Sequence, residues 1–128
     1  MKIDPKSLDR IAAHQLMVCA VVPRPIALVS TVGADGVYNA APYSSYALMS
    51  STPAVVGFGV APNREGRKKD TLVNIEFTGD FVINAVPESM AEAMNQTAAE
   101  YPIDVDEFSE AGLSPEKGDV VKAPMIAE

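Results

Sequence analysis

Tryptophan is absent from this sequence, and four tyrosines and four phenylalanines are all the aromatic side chains it has. That scarcity argues against recognition of a partner through an aromatic hot spot. Cysteine is nearly absent too: with Cys19 alone, the chain builds neither an internal disulfide nor a thiolate metal cluster. A lone free thiol of this kind is expected to be buried and inert. The one histidine, His14, falls on a predicted helix, and no Ser/His/Asp or Cys/His constellation can be argued. No catalytic side chain and no metal ligand is therefore assigned. Long apolar runs are also missing, and the opening MKIDPKSLDRIAAH is charged throughout, without the apolar segment of a secretory signal. The expectation is a cytoplasmic protein with no membrane partner. Familiar nucleotide loops are lacking as well: Gly57-Phe58-Gly59 has no third glycine, and there is no Walker-type loop.

What is present suits a folded domain. Hydrophobic residues make up 48% and charged residues 21% of the 128 positions, so residues 1–128 are read as a single domain with a real core. The net charge is −7, but it is unevenly spread. Residues 1–69 carry eight basic and four acidic groups, whereas residues 70–128 carry two basic and thirteen acidic ones. Any anion should bind near the first half.

The elements follow from spacing. Asp4-Pro5 reads as a cap and first turn, and Leu8, Ile11, Ala12 and Leu16 follow at helical intervals. From Pro25 the chain turns β-branched and apolar on both faces until Gly33-Ala34-Asp35-Gly36, and residues 37–44 resume as a partner strand, which predicts a hairpin. Residues 53–60 predict a third strand with Val56, Phe58 and Val60 on one face and Val55, Gly57 and Gly59 on the other. The small face suits close approach by something flat or by another backbone, or equally a glycine kink where a sheet curls. Residues 70–78 predict a helix stopped by Gly79, residues 80–86 a fourth strand, and Pro87 opens a helix whose Met90, Met94 and Ala98 form a core stripe. Beyond Tyr101 the acidic, turn-rich segment lacks periodicity and reads as a long surface connection.

One stretch stands apart. Arg64, Arg67, Lys68 and Lys69 put four of the ten basic residues into six positions, just before the predicted helix start at Asp70 and Thr71. A helix start offers unpaired N–H groups and about half a positive elementary charge, so added cations there do not stabilise the helix. They make sense facing an anion, of which phosphate is the usual guest, with Thr71 as a further donor and Asp70 as a cap or as a partner for a cation. A solvated basic loop is the plain alternative. Nucleic acid is disfavoured, because the cluster is short, the net charge is −7 and no aromatics interleave it.

Two blocks carry a resemblance. VVPRPIALVSTVGADGVYNAAPYSSY, residues 21–46, resembles the opening signature of the flavin reductase-like, FMN-binding split-barrel family, and RKKDTLVNIEFTGDFVINAVPE, residues 67–88, resembles its second signature. The acidic DEFSEAGLSP and the following KAPMIAE also look like the family's connector and its lead into the next strand. The resemblance implies a mainly β protein with flanking helices, an FMN-binding split β-barrel. It implies FMN as cofactor, with the phosphate role carried to Lys69 and Thr71 and, more weakly, to Arg67 and Lys68. Asn39, Ala41, Pro42, Tyr43, Ser44 and Ser45 match the strand and turn that line the ring and ribityl chain, with Ser50 reaching from the next loop.

The resemblance further implies an NAD(P)H-dependent flavin reductase passing electrons to free flavin or another acceptor, with NADH or NADPH as co-substrate. The alternative is an FMN-holding electron carrier, similar to flavoredoxin, without efficient nicotinamide oxidation. Expected partners are a second copy, as a homodimer, and a partner oxygenase or redox protein. Similar proteins continue for several more strands, and the end of this sequence is apolar and extended in character. The expectation is thus a C-terminally truncated domain whose barrel lacks its C-terminal strands.

Overall fold

The computed structural model describes residues 2–63 and 65–128. Its centre is β1 (Ala27–Val32), which pairs antiparallel with β2 (Tyr38–Tyr43) on one side and with β5 (Val82–Asn84) on the other. The predicted hairpin is present, with Val29 opposite both Ala41 and Ile83. Gly36 makes its turn possible by adopting φ +86°, a conformation that side chains with a Cβ rarely tolerate.

Because β1 is covered on both faces, its apolar residues serve two cores. Leu28 and Ala40 pack with Met90, Phe108 and Leu113. Ala27, Val29, Ala41 and Tyr43 face the other way and meet Phe58, Val60 and Ile83. This second face also receives α2 (Asp70–Thr78), which ends at Gly79 with φ +76° as its sequence predicts.

The remaining elements depart from expectation in instructive ways. Asp4 caps only a short 3-10 turn, Pro5–Ser7, and Asp9 supplies a second cap for α1 (Arg10–Ala20). None of the described residues of α1 is buried, and Cys19 is exposed; among the described residues no sheet or helix packs extensively on α1. The sequence does not announce β3 (Ala47–Ser51), which forms a two-stranded ribbon with β4 (Ala54–Gly57). The predicted strand over residues 53–60 is cut short there, since Phe58 and Val60 leave the ribbon and join the core. The close approach to its glycines is made by Met49 at Gly57 and by Ser45 at Gly59.

The fourth strand shrinks to Val82–Asn84 because Asp80 serves as a loop clamp instead, accepting from the backbone N–H groups of Lys122 and Ala123. After a 3-10 turn at Glu88–Met90 comes α3 (Ala91–Gln96), with Met90 and Met94 in the core and Ala98 exposed beyond the helix end.

The acidic segment is not a surface connection. Asp106 caps α4 (Glu107–Ala111), and Phe108 is 1% exposed in the core beside Leu28. Two further short strands follow, β6 (Pro115–Glu116) and β7 (Met125–Ile126), which pair with each other. The last segment is tied to the sheet by side chains: Ile126 N–H donates to Asn84 Oδ1 at 3.0 Å, and Ser30 Oγ donates to the Pro124 carbonyl. Among the described residues the strands do not close into a barrel. Among the described residues no helix is long and apolar enough to cross a membrane.

Phe108 gives the sharpest check on this part of the fold. Phe108→Ala should lower stability by about 3–5 kcal/mol, the usual cost of emptying a buried phenyl site. Denaturant titration measures it, and a loss below about 1 kcal/mol, the level of a surface substitution, would return the segment to the surface.

Candidate functional site

Two local structures bring the basic stretch to its place. Asn63 organises the preceding loop: its side-chain oxygen accepts from Glu65 N–H at 3.0 Å and Arg67 N–H at 2.8 Å, and Gly66 turns the chain with φ +81°. Arg64, the first cation of the cluster, lies outside the described residues. The chain then enters α2 with Lys69, not Asp70, at the capping position, and no side chain caps the helix. The Lys69 carbonyl takes the N–H groups of Leu72 and Val73, so those of Asp70 and Thr71 have no acceptor among the described residues. They leave a helix start of the kind that suits an anion, with a cation beside it.

The three described cations differ. Arg67 pairs with Glu65 at 2.7 Å, and Lys68 pairs with Glu76 at 2.7 Å, both in solvent. Lys69 is half-buried and makes no ion pair among the described residues. It is the cation left available for a ligand.

Behind this end lies a buried polar cluster. Asn39 Oδ1 accepts from Thr71 Oγ1 at 2.8 Å and from Thr31 Oγ1 at 3.0 Å, and Thr31 in turn accepts from Asn74 Nδ2 at 3.0 Å. The Asn39 amide donates to Glu107 Oε2, which also accepts from Ala40 N–H at 2.7 Å. One asparagine thus joins strand, helix start and α4. Thr71 is 1% exposed, so its hydroxyl braces the helix start from inside.

Burial pushes the Glu107 carboxyl up to about 7, reinforced by the nearby Asp70 charge and opposed by the Ala40 N–H, Lys69 and Asn39. Burial likewise raises Asp70, against the pull of Arg67 and Lys69. Tyr43 Oη is buried with no hydrogen-bond partner among the described residues, and burial raises its phenol above the usual range.

A cleft of about 700 Å³ opens beside the helix start. Its lining includes Asn39, Ala41 and Pro42 from β2, Arg67, Lys68, Lys69 and Thr71 from the basic stretch and the start of α2, and also Tyr101 and Glu107. Seven of the sequence-predicted residues therefore meet in one place. Tyr43, Ser44, Ser45 and Ser50 lie outside that lining. The Ser45 hydroxyl both donates to and accepts from the Gly59 backbone, and Ser50 Oγ accepts from Thr52 N–H.

Residues 17–128 match the flavin reductase like domain. The chain belongs to the flavin reductase-like family. It is 39% identical over 128 residues to an uncharacterized protein of Halalkalibacterium halodurans, covering 100% of this chain and 61% of that one. Nitrilotriacetate monooxygenase component B from Bacillus cereus superposes with a TM-score of 0.91 at 31% identity, over 99% of this chain and 62% of the other. Flavoredoxin of Desulfovibrio vulgaris shares the fold, with a TM-score of 0.76 at 22% identity over 84% and 56% of the two chains. The chain thus spans about three fifths of the length of the first two of these proteins.

The site fits the flavin this family takes. Lys69 and two N–H groups suit a phosphate, Ala41 and Pro42 present a small apolar wall for a flat ring, and the volume suits a cofactor. Sequence reasoning missed Tyr101 and Glu107, the latter in the acidic segment read as a surface connection. Asp106 three positions before Ser109 was the available signal, since a capping aspartate marks a helix.

Glu107 gives a pH prediction. The folded protein keeps this proton up to about pH 7, whereas a carboxyl at its ordinary value loses it near 4.5. In between, the native state binds more protons, so this contribution to stability is complete at the acid end and is lost as pH rises through 7. Unfolding free energies of the wild type minus those of Glu107→Gln should fall across that window. A flat difference would show that Glu107 titrates normally.

Proposed function

We propose that this chain forms the FMN-holding part of an NAD(P)H-dependent flavin reductase. The observation that supports it most is the pairing of Lys69 with the unpaired Asp70 and Thr71 N–H groups on the rim of a cleft walled by Ala41 and Pro42. FMN, when bound, supplies hydride acceptance from NADH or NADPH and electron transfer onward. The protein supplies the rest: Lys69 and the helix start hold the phosphate, with Arg67 and Lys68 adding to the field. Asn39 keeps the helix start in register, and β2 gives the ring its wall. No side chain is assigned as acid or base.

The acceptor is proposed to be free flavin, or a partner oxygenase or redox protein, as the likeness to a monooxygenase component supports. An electron carrier without efficient nicotinamide oxidation is the second reading, favoured by the shared fold with flavoredoxin. A homodimer is proposed as the assembly, because Ile11 and Met17 on α1 and Leu48 and Met49 on β3 leave apolar surface in solvent that a two-fold copy would cover. Sedimentation tests it, and a flavin-loaded monomer at micromolar concentration would count against the dimer.

Isothermal titration tests the site. FMN should bind more tightly than riboflavin, and Lys69→Ala should cost FMN binding about 1.5–3 kcal/mol, the range for a hydrogen bond to a charged group. Raised salt should narrow that gap. Equal affinities for FMN and riboflavin would remove the phosphate role. Anaerobic mixing with NADH and NADPH separates the two functional readings: rapid flavin bleaching supports the reductase, and slow bleaching by both supports the carrier.

A further inference from the structure

Glu107 has one oxygen too many for the work it does. Both hydrogen bonds it receives, from the Asn39 amide and from Ala40 N–H, end on Oε2. Oε1 has no partner among the described residues, and Glu107 lines both the large cleft and a second one of about 260 Å³. A carboxylic acid with its proton on Oε1 would still accept both bonds on Oε2. The neutral form therefore keeps both bonds, and through Asn39 the tie to Thr71 and the α2 start, although each bond is stronger to the ionised form.

The two forms differ in what they do to an anion. Asp70 and Lys69 face Glu107 from the α2 start, and Tyr43 faces it from β2; Asp35, Asp104, Arg67 and Lys68 sit on the rims of the two clefts. An ionised Glu107 would put a buried negative charge near the half-buried Asp70, in the same cleft as the helix start that a phosphate needs. Repulsion at such short range is weakly screened, and neutralising one partner is the usual relief.

Resting on the FMN reading above, we propose that Glu107 is a positioning residue at which phosphate binding and proton uptake are coupled: a phosphate on the α2 start binds best when Glu107 Oε1 carries a proton. Burial, which raises the carboxyl to about 7, places the uncoupled titration where such uptake operates.

Isothermal titration of the full chain with FMN and with riboflavin, from about pH 7 to about pH 9, tests it, a range in which the phosphate is already dianionic. The FMN dissociation constant of the wild type should rise about fivefold across that range, part of the tenfold total that corresponds to one pH unit in where the carboxyl titrates. Riboflavin should show no such rise. Repeating the FMN titration in two buffers of different ionisation enthalpy should reveal a proton taken up by the wild type.

Glu107→Gln retains an acceptor for Asn39 and Ala40 and places an NH2 where the acid carries its proton. It should bind FMN independently of pH, with the wild type's low-pH affinity and without proton uptake. A wild-type FMN affinity that is flat with pH, or a Gln variant that keeps the pH dependence, overturns the coupling while leaving the phosphate site intact. Equal binding of FMN and riboflavin overturns the phosphate site itself, and the coupling with it. If the variant fails to fold, the wild-type proton count decides alone: uptake with FMN but not riboflavin supports the proposal, and none refutes it.

Discussion

The carboxamide of Asn39 is the interaction on which the rest of the site depends. Its oxygen takes two threonine hydroxyls, one from β1 and one from the start of α2, and its amide gives to Glu107 on α4. All of these groups are buried, so each unmade bond would leave a polar atom dry at a cost of about 1–3 kcal/mol. The network therefore tolerates one relative arrangement of strand, helix and α4. That arrangement sets Asp70 and Thr71, whose N–H groups have no acceptor among the described residues, in the lining of the cleft.

This explains an apparent conflict in the sequence. Three described cations precede a helix start, where acidic residues normally sit. Arg67 and Lys68 are paired with Glu65 and Glu76 in solvent, and among the described residues no side chain caps the helix. Helix stability is given up at one point, and an anion with charge and N–H acceptance of its own can restore it. On the proposed reading the cofactor completes the cap.

Legibility followed locality. The hairpin, α2 and its Gly79 stop are written in short-range signals: β-branched runs, a glycine turn, and a left-handed residue after a helix. The clustering of Asn39, Ala41, Pro42 and residues 67–69 was legible through two sequence blocks that resemble the family's. What stayed hidden depends on distant partners. Phe108 has no periodic neighbours to announce burial, because α4 spans only Glu107–Ala111 and only one face of it touches the sheet. Glu107 looked like one more acid in an acidic run, and only the edge N–H of Ala40 and the amide of Asn39, 67 and 68 positions earlier, give it a structural role. Cys19 misled in the opposite direction, since general burial of free thiols says nothing about a helix on which no described element packs extensively.

The most direct test of a phosphate site organised by Asn39 at the start of α2 is a crystal structure of the protein soaked with FMN. The expected density puts the phosphate within hydrogen-bond distance of the Asp70 and Thr71 N–H groups and of Lys69 Nζ, with the ring toward Ala41 and Pro42 and the Asn39 bonds unchanged. A phosphate bound elsewhere, with the α2 start left in water, would contradict it.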